Sequence, residues 1–190
     1  MDVRPTPDRV KQAVFNSLGG RILEANVLEL FAGSGALSLE ALSRGCKTAE
    51  CIEKSARHAA FIRRNAEAAG YGPSVFHARV QDVFPALQDL AARGNRYDII
   101  LADPPYGDKN VGRRSTSLAQ KLMDDPNLPR VLVEGGLLIL GHARRDTLDI
   151  PGPWHELKVL THGDNVMRFL EIKVVTPIST SPPHADIPPA

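Results

Sequence analysis

Apolar residues recur along this chain in two alternating periods, and those periods predict its elements. Val10, Ala13, Val14 and Leu18 fall at helical spacing behind Thr6-Pro7-Asp8. That tripeptide supplies a hydroxyl cap, a proline at the first helical position and an acid at the positive end of the dipole. The spacing predicts an opening helix over 7–18, stopped by Gly19-Gly20. Asn26 to Phe31 reads as a strand broken by Gly33-Ser34-Gly35, then a helix over Ala36–Ser43 and a strand over Thr48–Ile52. Ser55 to Gly70 sets Ala59, Ile62, Ala66 and Ala69 on one helical face. A strand over Ser74–Val80 and a helix over Phe84–Ala92 follow.

Tyr97 to Ala102 is the continuous apolar run of a strand covered on both faces, and it ends at Asp103-Pro104-Pro105-Tyr106. From Gly107 to Ser117 the chain is polar and reads as an exposed, mobile loop. Helical stretches near Leu118–Met123 and Leu128–Val133 lead through Gly135-Gly136 to a strand over Leu137–Gly141. Trp154–Leu160 and Val166–Val174 form two last strands, with His162-Gly163-Asp164-Asn165 as a hairpin turn. Strands alternating with helices predict an α/β fold: a seven-stranded, mostly parallel sheet with helices on both faces and a C-terminal antiparallel hairpin strand. A single domain is expected over 1–175. Residues 176–190, with five prolines, are expected to be a disordered tail.

Composition narrows the function classes. With 43% hydrophobic and 24% charged residues in 190, wholesale disorder is excluded. No apolar run approaches the roughly 18 residues of a membrane span, and Met1-Asp2-Val3-Arg4-Pro5 lacks an apolar signal core, so a cytoplasmic protein is expected. Cys46 and Cys51 are too few for a disulfide framework or a zinc site, and no metal is expected. A net charge of +1 makes no case for nucleic acid, so such a case must rest on motifs.

Three clusters carry chemistry, all just beyond strand carboxyl ends, where open sheets of this kind bind ligands. Glu29-Leu30-Phe31-Ala32-Gly33-Ser34-Gly35 is a strand entering a glycine turn, either a bare tight turn or one a ligand approaches closely. A dinucleotide fingerprint wants a third glycine where Ser38 stands. Glu53, twenty residues after Gly33, can accept ribose hydroxyls of a dinucleotide or a nucleoside. Asp82 can accept from an adenine amine or cap the helix near Phe84. In Asp103-Pro104-Pro105-Tyr106 the prolines end the strand rigidly, aiming two acceptors, the Asp103 carboxylate and the Pro104 carbonyl, beside an aromatic ring. That arrangement suits a planar –NH2 group on a stacked base.

On these residues the chain resembles the class I S-adenosylmethionine-dependent methyltransferases, whose fold is Rossmann-like. More closely, it resembles the bacterial family that methylates N2 of guanine 966 in 16S ribosomal RNA. The resemblance rests on Arg4-Pro5-Thr6-Pro7-Asp8-Arg9-Val10, Leu30 to Leu37, Leu39-Glu40-Ala41-Leu42-Ser43-Arg44-Gly45 and the Asp103–Tyr106 box, in order from about Arg4 to Ile172. It implies S-adenosyl-L-methionine as cofactor. Gly33, Ser34 and Gly35 would then lie at its methionine end, Glu53 at its ribose and Asp82 at its adenine. Thr6 and Arg9 would lie near the methionine carboxylate or the entering RNA, with Glu29, Phe31, Ala32, Lys54, Val83 and Asp103 completing the cofactor site. Asp103, Pro104, Pro105 and Tyr106 would be catalytic.

The implied partner is ribosomal RNA or a small-subunit assembly intermediate, bound by a monomer through Arg4, Arg113 and Arg114. Arg63-Arg64 and Arg144-Arg145 can also supply phosphate contacts, but each alone reads more readily as an ordinary solvated pair. Pro7 and the proline-rich tail depart from the family pattern. So does the start almost at Arg-Pro-Thr, where relatives carry about twenty further basic-rich residues, and weak attraction to RNA is the expectation. Amino methylation of adenine N6 or of a protein glutamine remains an alternative, as does a cofactor-binding assembly protein without turnover.

Overall fold

The computed structural model describes residues 8–106 and 113–173. Arg4, Thr6 and the proline-rich tail lie outside them. Helix α1 (Asp8–Leu18) buries Val10, Val14, Phe15 and Leu18, and the Gly19–Ile22 3-10 turn releases the chain into β1 (Asn26–Leu30). There follow α2 (Ala36–Ser43), β2 (Thr48–Glu53), α3 (Ala56–Ala68), β3 (Phe76–Val80), α4 (Val83–Ala92), β4 (Tyr97–Ala102) and α5 (Leu118–Met123). After a 3-10 turn at Pro129–Val131 come β5 (Leu132–Ala143), β6 (Trp154–His162) and β7 (Asn165–Ile172). Ser55 and Asp82 start α3 and α4 by accepting the His58 and Phe84 N–H groups, the side-chain caps that end-of-strand polar residues supply.

The sheet has seven strands in the order β3-β2-β1-β4-β5-β7-β6. The first five run parallel and β7 is antiparallel to both β5 and β6. Apolar side chains of α1, α2 and α3 cover one face and those of α4 and α5 the other, giving two cores separated by the sheet. One rung of pairs crosses Arg79, Ile52, Leu30, Ala102, Leu140 and Arg168. The next residues along, Glu53, Phe31, Asp103 and Gly141, therefore emerge together at the carboxyl edge, on either side of the place where strand order reverses between β1 and β4.

Three expectations need correction. The strand expected over Leu137–Gly141 begins at Leu132, because Leu132 pairs with Tyr97 before the register shifts to Ile99–Leu137. The ladder thus spans Gly135, at φ +71°, which glycine tolerates without a Cβ clash. The helix expected over Leu128–Val133 contracts to a single 3-10 turn, since its last residues are drawn into that ladder. The end of the presumed mobile loop is anchored: Ser115 and Ser117 are buried, their hydroxyls bonded at 3.0 Å, and the Ser117 hydroxyl also accepts the Gln120 N–H to start α5. Residues 107–112 of that loop lie outside the described part. Among the described residues no helix is long and apolar enough to cross a membrane, and no group of His, Cys, Asp and Glu could hold a metal.

Candidate active site

The glycine turn is fixed by the neighbouring strand rather than by its own helix. Ala32 N–H donates to the Ile52 carbonyl at 3.0 Å and Gly33 N–H to Glu53 Oε2 at 2.8 Å. Glu53 Oε1 accepts the Ser55 N–H at 2.8 Å and lies 3.7 Å from His58 Nδ1. The Gln81 N–H reaches the Glu53 carbonyl at 3.2 Å, so Glu53 ties the ends of β1, β2 and β3 together. Each of its oxygens retains a lone pair, so the carboxylate can still accept two hydroxyls. Gly33 and Gly35 have φ of +57° and +72°, and a Cβ on Gly35 would stand 2.6 Å from Ile62 Cγ2. Gly35 is thus required twice, by its backbone and by the packing of α3.

Phe31 sits at φ +58°. A bulky residue rarely takes this left-handed conformation, and such strain concentrates at ligand sites. Its ring meets Phe84 edge to face with centroids 6.3 Å apart, linking the turn after β1 to the start of α4. Asp82 lies on that start, exposed, with Oδ1 accepting the Phe84 N–H at 3.1 Å. The cap is therefore present, and the carboxylate keeps a free edge toward solvent. Val83 is buried and Lys54 exposed.

Beneath the turn lies Glu29, 3% exposed, with Oε2 accepting the Ser38 N–H of α2 at 2.9 Å. Burial pushes its carboxyl up from 4.5 to about 7, against the lowering effect of the Ser38 and Leu37 bonds, and the charge of Asp103 adds to the rise. The coupling places Asp103 and Glu29 in one field. Both cysteines are buried, and burial pushes the Cys46 thiol up to about 11 and the Cys51 thiol higher, so neither is a nucleophile.

Asp103 itself leans on β5. A Cβ on Gly141 would stand 2.3 Å from Asp103 Oδ1 and 3.1 Å from Met167 Sδ, so only a bare backbone lets the carboxylate occupy its place. Pro104 is buried, while Pro105 and Tyr106 are exposed. The Tyr106 hydroxyl donates to Asn165 Oδ1 at the start of β7. The structure thus brings together Glu29, Phe31 to Gly35, Glu53, Asp82 and Asp103 to Tyr106 at one sheet edge. Arg9 is exposed on α1, which joins α2 through a Lys11–Glu40 pair at 3.4 Å; no described contact ties Arg9 to the turn. Arg113 is exposed. Arg114 is engaged elsewhere: its guanidinium clasps Asp124 at 2.7 and 2.9 Å and Asp149 at 3.0 Å, joining the end of α5 to the segment after β5. Gly141 and Asn165 were not singled out in the sequence, where a lone glycine in a strand and an asparagine in a turn carry ordinary structural meanings.

The donor set suits a nucleoside with an amino-acid arm. Carboxylates at Glu29, Glu53, Asp82 and Asp103 offer acceptors to an ammonium, two ribose hydroxyls and two amines, and the glycine turn leaves room for backbone approach.

Comparison with known proteins gives a family, two curated relatives and a solved structure. A family model described as "Conserved hypothetical protein 95" matches residues 1–171. Ribosomal RNA small subunit methyltransferase D of Escherichia coli K12 is 39% identical over 104 residues, 55% of this chain and 50% of that protein. The chain thus spans about half the length of the curated relatives it matches first. Bacillus subtilis YlbH is 32% identical over 143 residues, 74% of this chain and 72% of its own. The solved Escherichia coli yhhF structure superimposes with a TM-score of 0.73 at 25% identity, covering 90% of this chain and 89% of its own.

Proposed function

This chain belongs to the conserved hypothetical protein 95 family and has the class I methyltransferase fold, and on that footing we propose that it methylates the exocyclic N2 amine of a guanine in small-subunit ribosomal RNA, with S-adenosyl-L-methionine as cofactor. The observation that carries the reading is the Asp103–Tyr106 box emerging level with Glu53, two strands away, with the glycine turn between them. The named relative that methylates small-subunit ribosomal RNA supports the substrate class.

S-adenosyl-L-methionine supplies an electrophilic sulfonium methyl when bound. Glu53 would accept the ribose hydroxyls with the lone pairs its backbone partners leave, Glu29 would complement the ammonium by its charge, and Asp82 would accept from the adenine amine. Asp103 and the Pro104 carbonyl accept the two N–H groups of the guanine amine. This favours a pyramidal nitrogen whose lone pair, otherwise delocalised into the ring, is available for attack. Tyr106 stacks on the base, which must leave its neighbours to enter. Position and electrostatics carry the rate, because a carboxylate is far too weak a base to deprotonate an aromatic amine beforehand. After transfer the nitrogen would be cationic and correspondingly acidic, and its proton would pass along the existing hydrogen bond to the Asp103 carboxylate and from there to water.

The test is transfer of labelled methyl groups to RNA, DNA and protein fractions, followed by nucleoside analysis. Label in N2-methylguanosine of 16S RNA is expected. Asp103→Ala is expected to bind cofactor and lose at least a hundredfold in single-turnover rate. Label in N6-methyladenosine, or an undiminished rate in the variant, contradicts the reading.

A further inference from the structure

The sequence directs attention to Arg113-Arg114 for the RNA backbone, but Arg114 already closes two internal ion pairs. Other arginines are engaged too: Arg63 donates to the Ala78 carbonyl, Arg64 covers the Phe61 ring at 4.6 Å, and Arg79 pairs with Glu50 at 2.9 Å. Arg144 and Arg145 differ. Both are exposed, and neither guanidinium has a hydrogen-bond or ion-pair partner among the described residues.

Their setting is built rather than incidental. They occupy the two central positions of a tight turn at the carboxyl end of β5, closed by the Asp146 N–H donating to the Ala143 carbonyl at 2.9 Å. His142 Nδ1 lies 2.9 Å from the same carbonyl, while His142 Nε2 accepts from Arg168 Nε at 2.9 Å, which leaves the proton on Nδ1. A turn so braced holds the two side chains out at its corners. It is also joined to the β6–β7 turn, because the Arg144 N–H donates to the Asp164 carbonyl at 2.7 Å and Ala143 pairs with Asn165. Asn165 is the residue whose side-chain oxygen accepts the Tyr106 hydroxyl. The ring proposed to stack on the target base and the two free guanidiniums are therefore anchored to the same pair of turns. On the exposed surface of the two turns Asp164 is one carboxylate against two cations, while Asp146 is buried at 1% exposure and out of reach of a phosphate-bearing chain.

We propose that the turn carrying Arg144 and Arg145 is a docking ridge for the phosphates of a single-stranded RNA segment that flanks the base presented to Tyr106. The proposal rests on the methyltransferase reading above and names the surface by which that site holds its substrate. Planar guanidiniums suit phosphate oxygens, and a target base splayed from its stack needs its neighbouring backbone held.

The experiment titrates the full chain with a 5′-fluorescein-labelled, mixed-sequence single-stranded RNA of about 20 nucleotides, by anisotropy, from 50 to 200 mM salt. The Arg144→Ala/Arg145→Ala variant is expected to bind more weakly and with a flatter log–log salt slope. At about 0.7 per single-strand phosphate contact the slope falls by about 1.4, so its deficit shrinks roughly sevenfold across that range. Arg144→Lys/Arg145→Lys should recover most of the slope, and S-adenosylmethionine affinity should stay at the wild-type value in both. Arg114→Ala should lower Tm and leave the slope unchanged. A double-alanine variant with the wild-type slope overturns the ridge, as does a wild-type chain with no salt-dependent RNA binding. Failure of the methyltransferase reading is separate: it appears as absence of N2-methylguanosine in the wild-type transfer assay, whatever the anisotropy gives.

Discussion

Glu29 is held out of water directly under the glycine turn, and its carboxyl rises from 4.5 to about 7 in consequence. Across that window the native state keeps a proton that the unfolded chain has released, so stability falls as pH rises and levels off above 7. A displacement of this size corresponds to about 3 kcal/mol. Glu29→Gln keeps the length and an acceptor for the Ser38 N–H while removing the buried charge. Chemical denaturation should find the variant more stable than wild type by up to about 3 kcal/mol at pH 8, with the difference vanishing toward pH 4.5. Cofactor affinity should move the other way, because the neutral amide no longer complements an ammonium. A stability difference that is the same at both pH values would show that the charge is not the cause. Phe31 at φ +58° has the same character, since backbone strain of about 1–3 kcal/mol is tolerated where the turn must take one shape.

Between elements, the decisive approach is that of β4 to β5. Asp103 follows β4, and Gly141 on β5 gives it space. Gly141→Ala should displace the Asp103 carboxylate by a substantial part of an ångström. Misplacement on that scale can cost about a hundredfold in rate. The expected result is a fall in single-turnover methyl transfer of tenfold to a hundredfold, with cofactor affinity retained because Glu53 and the glycine turn are untouched. A variant with wild-type transfer would mean that the carboxylate has other room. Much of the element pattern was legible in the sequence. Helix α2, strand β4 and helix α5 match their expected bounds because local signals delimit them: a glycine turn, a proline pair and a serine cap. The long β5 was not legible, since its passage through Gly135 depends on pairing with Tyr97 rather than on local propensity. The glycine turn, Glu53 and the proline box stood out because each has its own chemistry. Gly141, Asn165 and the engagement of Arg114 did not, because their meaning comes from partners distant in the chain.

For the whole molecule, the candidate site lies at the carboxyl ends of β2, β1 and β4, where strand order reverses. Glu53 is its staple, holding the Gly33 and Ser55 N–H groups while its carbonyl receives Gln81. A cofactor bound there adds cross-links among the same strand ends, so binding should stabilise the whole domain cooperatively. At a hundredfold excess over Kd the gain is about 2.7 kcal/mol. In a domain of this size each kcal/mol moves Tm by about 2–4 °C, so S-adenosylmethionine should raise Tm by about 5–10 °C. Glu53→Ala separates the two duties of the carboxylate. Without ligand its Tm should drop, because two backbone donors lose their acceptor and only water can replace it. At the cofactor concentration that saturates wild type, the ligand-induced rise should also disappear. Glu53→Gln, which can still accept one of the two donors, should fall between wild type and Glu53→Ala in both respects. Differential scanning fluorimetry of the three proteins across a cofactor series decides the matter. A Glu53→Ala protein with a lower Tm but a full ligand-induced rise would confine Glu53 to bracing the turn and remove it from the cofactor site.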